Sequence, residues 1–167
     1  MRKTLRNTSA CAILGLVVAC GSSGGGGGGN TSAFQAALQG TWEGCVPTSL
    51  TESTSVTFVI TGLNFTVTPV SFGTPDCSGS PTALPQQSGT LTIGSAETVQ
   101  LNMQSVTAYQ VDQTITSPAI GTTYTLAYVD TTASPNLLYQ GATIPPNDGS
   151  TPAKRPTVLS PLPFQKQ

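Results

Sequence analysis

Apolar and polar residues alternate through most of this chain. Within residues 54–61, Val56, Phe58 and Ile60 share one parity while Thr57, Val59 and Thr61 share the other. A period of two is the mark of a strand with one face buried. Gly62-Leu63 follows and fits a two-residue turn with glycine at its first central position, so residues 64–72 should return alongside. Phe65 and Val67 keep one parity, but Val70 and Phe72 have the other, and Pro69 stands at the break. A bulge or bend is expected there. Residues 89–93 and 98–103 read as a second hairpin around 94–97. In its return strand Val99, Leu101 and Met103 alternate with Thr98, Gln100 and Asn102, and that strand runs on towards Tyr109 and Val111. Residues 123–130 put Tyr124, Leu126 and Tyr128 on one side. Leu137-Leu138-Tyr139 is a short strand, 144–152 a proline-rich loop, and 155–164 a last strand. At the other end, Ser32 can cap a helical turn over 34–38 that Gly40 terminates, and 40–46 is the first strand. No helix of core length is expected.

These elements predict an all-β domain: an antiparallel up-and-down barrel or strongly curved sheet of about eight short strands. Full closure is not expected. Pro161 and Pro163 lie two apart in the last strand, so both missing N–H groups fall on one side of it. That side should be poorly bonded, as an edge is.

The first residues follow a different pattern. Arg2, Lys3 and Arg6 precede an uncharged apolar run over 10–18, which is about half the ~20 residues of a membrane-spanning helix. This is the layout of an export signal. Leu16-Val17-Val18-Ala19-Cys20-Gly21 resembles a bacterial lipobox. The resemblance implies that 1–19 is a lipoprotein signal peptide, that Cys20 becomes the acylated first residue, and that Gly21 directs the protein to the outer membrane. Cys11, inside the apolar run, would leave with the signal. Residues 20–33, with six consecutive glycines from Gly24 to Gly29, are expected to be a lipidated cysteine and flexible tether. Its root-mean-square reach would be about 20 Å. Residues 34–167 are then the folded domain.

Composition narrows what that domain can do. Its basic residues are only Lys154, Arg155 and Lys166, against acids Glu43, Glu52, Asp76, Glu97, Asp112, Asp130 and Asp148. No basic stripe exists for phosphates, so no nucleic-acid partner is expected. Histidine is absent, which removes a Ser-His-Asp triad and an imidazole base. The acids are spread singly along the chain; a carboxylate pair for glycoside hydrolysis, Glu43 with Glu52 for example, would have to assemble in space, and spacing gives it no support. Cys45 and Cys77 are the two cysteines left after export. In that compartment they are expected to form a structural disulfide that contributes roughly 3–4 kcal/mol. Two sulfurs without further ligands make no zinc site, and neither metal nor cofactor is expected.

A short helical turn feeding Gly40-Thr41-Trp42 resembles the lipocalin and wider calycin opening. Trp42, Cys45, Cys77 and Arg155-Pro156-Thr157 together resemble a group of small bacterial lipoproteins with no established activity. The expected function is a non-enzymatic, outer-membrane-anchored lipoprotein with an envelope interaction or structural role. Its partners would be the membrane, through the lipid, and an envelope protein. The alternative is a lipocalin-like carrier of a small apolar ligand.

Overall fold

The computed structural model describes residues 30–167; Cys20 and the segment before it lie outside the described residues. Helix α1 (Thr31–Leu38) leads into strands β1 (Gly40–Pro47), β2 (Ser53–Thr61), β3 (Asn64–Phe72), β4 (Pro81–Ala83), β5 (Gln87–Leu101), β6 (Gln104–Ser117), β7 (Ala119–Asp130), β8 (Leu137–Gln140) and β9 (Phe164–Lys166). All pair antiparallel in one sheet, and β2–β3 pairing closes it into a ring, with β4 a short edge beside β3. The all-β, up-and-down expectation therefore holds.

Local chemistry explains several elements. Asn30 Oδ1 accepts from the amide of Ala33 and caps α1, so the helix starts at Thr31, ahead of the Ser32 cap and inside the expected tether. Gly62 has φ 62° and turns β2 into β3 at the expected place. The bulge expected at Pro69 is absent: β2 and β3 stay in register from Thr61↔Asn64 to Ser53↔Phe72. Pro69 is tolerated because its missing N–H faces away from β2, between the stretches of β3 that pair with β5 and β4.

The second hairpin is larger than expected. β5 runs unbroken through 94–97, and the chain reverses at Asn102-Met103, both at positive φ. Met103 is therefore a turn tip, 98% exposed, and not a core residue. The Gly-containing stretch instead holds a bulge: Ile93 pairs with Val111 but Ala96 pairs with Tyr109, so β5 carries one extra residue. The bulge exchanges the faces. Leu91 and Ile93 point into the ring, whereas Val99 and Leu101 point out of it.

Two cores result. Trp42, Phe58, Ile60, Phe65, Leu91, Val111, Ala127, Leu138 and Phe164 fill the ring, and Phe34 of α1 stacks on Tyr109 at 4.3 Å. Val99, Leu101, Ala108, Leu126, Tyr139 and Leu159 form a second core on the outer face of β7 and β8, roofed by the end of the β5–β6 hairpin.

Cys45 and Cys77 are bonded, with Cα atoms 6.0 Å apart. The bridge ties the loop after β3 to β1. Buried Ser53 completes the tie: its hydroxyl donates to the Thr74 carbonyl (2.7 Å) and accepts from the Cys77 amide (2.8 Å). Reducing the bridge should lower stability by about 3 kcal/mol in a single transition. Urea titrations with and without reductant measure this; an unchanged midpoint, or free thiols in the unreduced protein, would refute the structural role.

Candidate functional site: the seam at the last strand

The ring closes at β9, and this is where the sequence expectation and the structure differ most. Residues 155–163 are not a strand. They form a strap that crosses the outer surface and only becomes β9 at Phe164. On its β8 side the strap is well bonded. Lys166 N–H donates to Asn136, Leu137 pairs with Gln165 and Leu138 with Phe164, and Ser160 N–H donates to Gln140 next to a Gly141↔Leu159 bridge. On its β1 side the bonds stop at Glu43↔Gln165. Continuing that register would place Pro163 opposite Cys45 and Pro161 opposite Pro47. The expected one-sided bonding holds only over 160–163, where the prolines offer no donors to β1. Phe164–Lys166 pairs with both β1 and β8 and closes the ring, against the expectation of incomplete closure.

Phe164 fills the bonded part of the seam. Its ring lies where a Cβ on Gly44 would stand, 2.8 Å from that position, so β1 needs glycine there. Beyond Phe164 the seam opens into a groove of about 310 Å3, lined by Val46, Gln140, Ala142, Ile144, Ser160 and Leu162 among others. No side chain lining it is charged. The outer face of the same seam holds a shallow cleft of about 300 Å3 that includes Glu43, Cys45, Ser55 and Pro163. By contrast, a pocket inside the ring, bordered by Leu38, Phe58, Leu91, Gln113 and Gln140, is about 10 Å3. That is room for about one water.

Trp42 is fully buried at the opposite end of the ring, and its Nε1 donates to the Leu38 carbonyl at 2.8 Å. The residue over its ring is Lys166, with Nζ 5.3 Å from the centroid. Register decides this: Trp42 pairs with Lys166, so the end of the last strand meets the start of the first. Arg155 is not the cation on this ring. Arg155 lies on the outer surface, over the cross-strand pair Asp112↔Tyr124. Its Nη1 donates to the carbonyls of Val111 (3.1 Å) and Thr125 (2.7 Å), its Nη2 to Asp112 (2.6 Å), and its guanidinium lies 5.5 Å from the Tyr124 centroid. Next to it, Pro156 is buried against Gly141. Arg155 and Pro156 are thus the fasteners of the strap. Sequence reasoning singled out both without seeing this use.

The carboxylates do not converge. Glu43 lies opposite Thr57, and Glu52 lies in the turn beyond Pro47↔Ser53. Five residues of strand separate their levels, on the order of 17 Å. Among the described residues no group of three or more potential metal ligands occurs. Comparison of the chain with protein-family models, curated proteins and solved structures finds no match.

Three aspartates each close a turn on a hydroxyl two residues ahead. Ser78 holds the Asp76 carboxyl below its ordinary value, with Thr74 assisting. Thr132 does so for Asp130 and Ser150 for Asp148, through hydroxyl and backbone amide. A folded-state pKa below the unfolded one gives stability that is present above about pH 4 and lost as pH falls through the folded value. The thermal midpoint should therefore drop on acidification from about pH 5 to about pH 3. Changing all three to Asn, which keeps the acceptor but cannot titrate, should flatten the drop; an unchanged slope would exclude these turns as its source.

The strap makes a separate prediction. Arg155→Met should cost about 2–3 kcal/mol, because it strands a half-buried carboxylate and two carbonyls. Arg155→Lys should recover less than half, since an ammonium lacks the fork that reaches all three acceptors. Urea unfolding of both variants measures the difference. A loss below about 0.5 kcal/mol for Arg155→Met would show that the strap is held elsewhere.

Proposed function

We propose that the protein is a non-enzymatic lipoprotein of the outer membrane, anchored through acyl chains on Cys20, whose folded domain serves an envelope interaction or structural role. The anchor reading rests on the order of segments: basic start, short apolar run, Cys20-Gly21, then the glycine tether. Two or more chains would be needed for stable attachment, since each buried methylene contributes only about 0.8 kcal/mol.

The observation that favours interaction over carriage is the filled ring. A carrier needs several hundred Å3 of enclosed apolar space, whereas the pocket that the described residues Leu38, Phe58, Leu91 and Leu138 line inside this ring is about 10 Å3. A lipocalin-like carrier of a small apolar ligand is the weaker alternative for that reason. The scarcity of charge and the absence of histidine support the non-enzymatic reading.

Cys20→Ala should abolish acylation and release the protein from membranes. Fractionation of a detergent-free lysate checks this; a variant that still sediments with membranes would place the anchor elsewhere. A native mass spectrum of delipidated protein from its own host should show no stoichiometric small molecule, and the presence of one would restore the carrier.

A further inference from the structure

The interaction reading leaves open what the domain would grip and where. The seam beside β9 joins three independent features. The first is unpaired backbone. In β1 the odd-numbered residues direct their N–H and C=O groups towards β9, as the bond from Gln167 N–H to the Thr41 carbonyl shows. The even-numbered direction meets β2, where Thr48 N–H bonds to Glu52. Cys45 and Pro47 therefore present their groups to the seam, and the β9 ladder ends before them at Glu43. Among the described residues, nothing pairs with the Cys45 N–H and C=O or the Pro47 C=O. The strap does not continue the ladder: in an extended register Pro163 and Pro161 would face these residues, and neither has an N–H to donate.

The second feature is the groove. Its volume of about 310 Å3 lies on the inward side of this edge, between Val46 and the Gln140–Leu162 wall. Ile144 and Leu162 border it and are 58% and 48% exposed. The third is the outer cleft of about 300 Å3 on the other side of the same edge. It is polar and contains Glu43, which makes no ion pair among the described residues.

An extended peptide sends successive side chains to opposite faces. It is therefore the ligand class that fits an edge with an apolar hollow on one face and an acidic, polar hollow on the other. A compact small molecule would occupy only one of them. We infer that the seam binds an extended segment of a partner protein by strand addition along Cys45–Pro47, with an apolar side chain in the inner groove and a basic one near Glu43. The short edge implies a weak complex, in keeping with a lipid anchor that already concentrates the protein at the membrane. The geometry also orients it. Helix α1, which receives the tether, covers the end of the ring where β1 starts, whereas the seam opens where β1 finishes. The grip and the attachment point lie at opposite ends. Peptide binding at the seam rests on the interaction reading; only its orientation relative to the membrane also rests on the Cys20 anchor.

The test uses the full chain in mild detergent and a six-residue probe peptide of alternating Lys and Leu. Two measurements are made: fluorescence polarisation of the labelled peptide, and exchange protection of the Cys45 amide. Binding with a Kd tighter than about 1 mM is expected, with the Cys45 amide protected. A probe N-methylated on alternate amides, which keeps its side chains and loses its donors, should bind at least about tenfold more weakly. Leu162→Asp should weaken binding similarly; this side chain is half-exposed, so the fold should tolerate the change. Pro161→Ala with Pro163→Ala should also weaken it, because the strap can then donate to the β1 edge itself.

No binding at about 1 mM, equal binding of the methylated probe, or an unprotected Cys45 amide in the complex would each overturn the proposal. A concentration-dependent dimer that protects Cys45 without peptide would overturn it in favour of a second copy of the chain. Failure here leaves the Cys20 anchor test unaffected, so the two readings fall separately.

Discussion

The ring depends on β9 finding two partners at once. Remove Phe164–Lys166 and the sheet has two bare edges, β1 and β8, and Trp42 loses both its cross-strand neighbour and the lysine over its ring. Three residues achieve closure, and the strap that delivers them is itself fixed to the outer surface. Arg155 grips two backbone carbonyls and Asp112 on the outer surface, Pro156 is buried, and Leu159 enters the second core. Phe164–Lys166 is thereby held in register. The stability of the closed ring is coupled to contacts made outside it.

That dependence explains the protein's asymmetry. One end of the ring is sealed: α1 lies across it, Phe34 stacks on Tyr109, Trp42 bonds to the end of the helix, and Gln39 exchanges bonds with Gly62. The other end is held by the disulfide on one flank and the strap on the other, with the unbonded seam between them. Pro161 and Pro163 keep the seam from zipping and also make the strap a poor template for indiscriminate strand pairing. The bare edge of β1 is consequently short and set back in a groove. Such a feature is more compatible with a selective contact than with aggregation.

The second core shows how a single inserted residue changes an architecture. Without the bulge between Ile93 and Ala96, Val99 and Leu101 would continue into the ring, which has no room for them. With it, the distal hairpin turns its apolar face onto Leu126 and Tyr139 and thickens one wall of the ring into two layers. Burial there also pushes the Tyr128 phenol up, with Asp130 and Tyr139 adding to the effect.

By itself the sequence determined what depends on neighbours in the chain. The period-two runs dictated the strands, Gly62 its turn, the scarcity of charge the absence of a basic face, and the proline spacing the side on which the last strand would fail to bond. The cysteine pair was legible because Cys45 and Cys77 are the only two cysteines in the β domain. What tertiary structure decided was everything that depends on which faces meet. Val99, Leu101 and Met103 have one parity in the sequence, yet a bulge sends two of them to an outer core and a turn leaves the third in water. Residues 155–163 carry strand-like apolar residues, but Arg155 gains more from three acceptors on a distant pair of strands than from a ladder of its own. Glu43 and Glu52 lie near each other in the chain, and an extended strand holds them apart. Local propensity fixes backbone geometry within a few residues. Partner choice across a closed sheet is fixed by register, and register is a property of the whole ring.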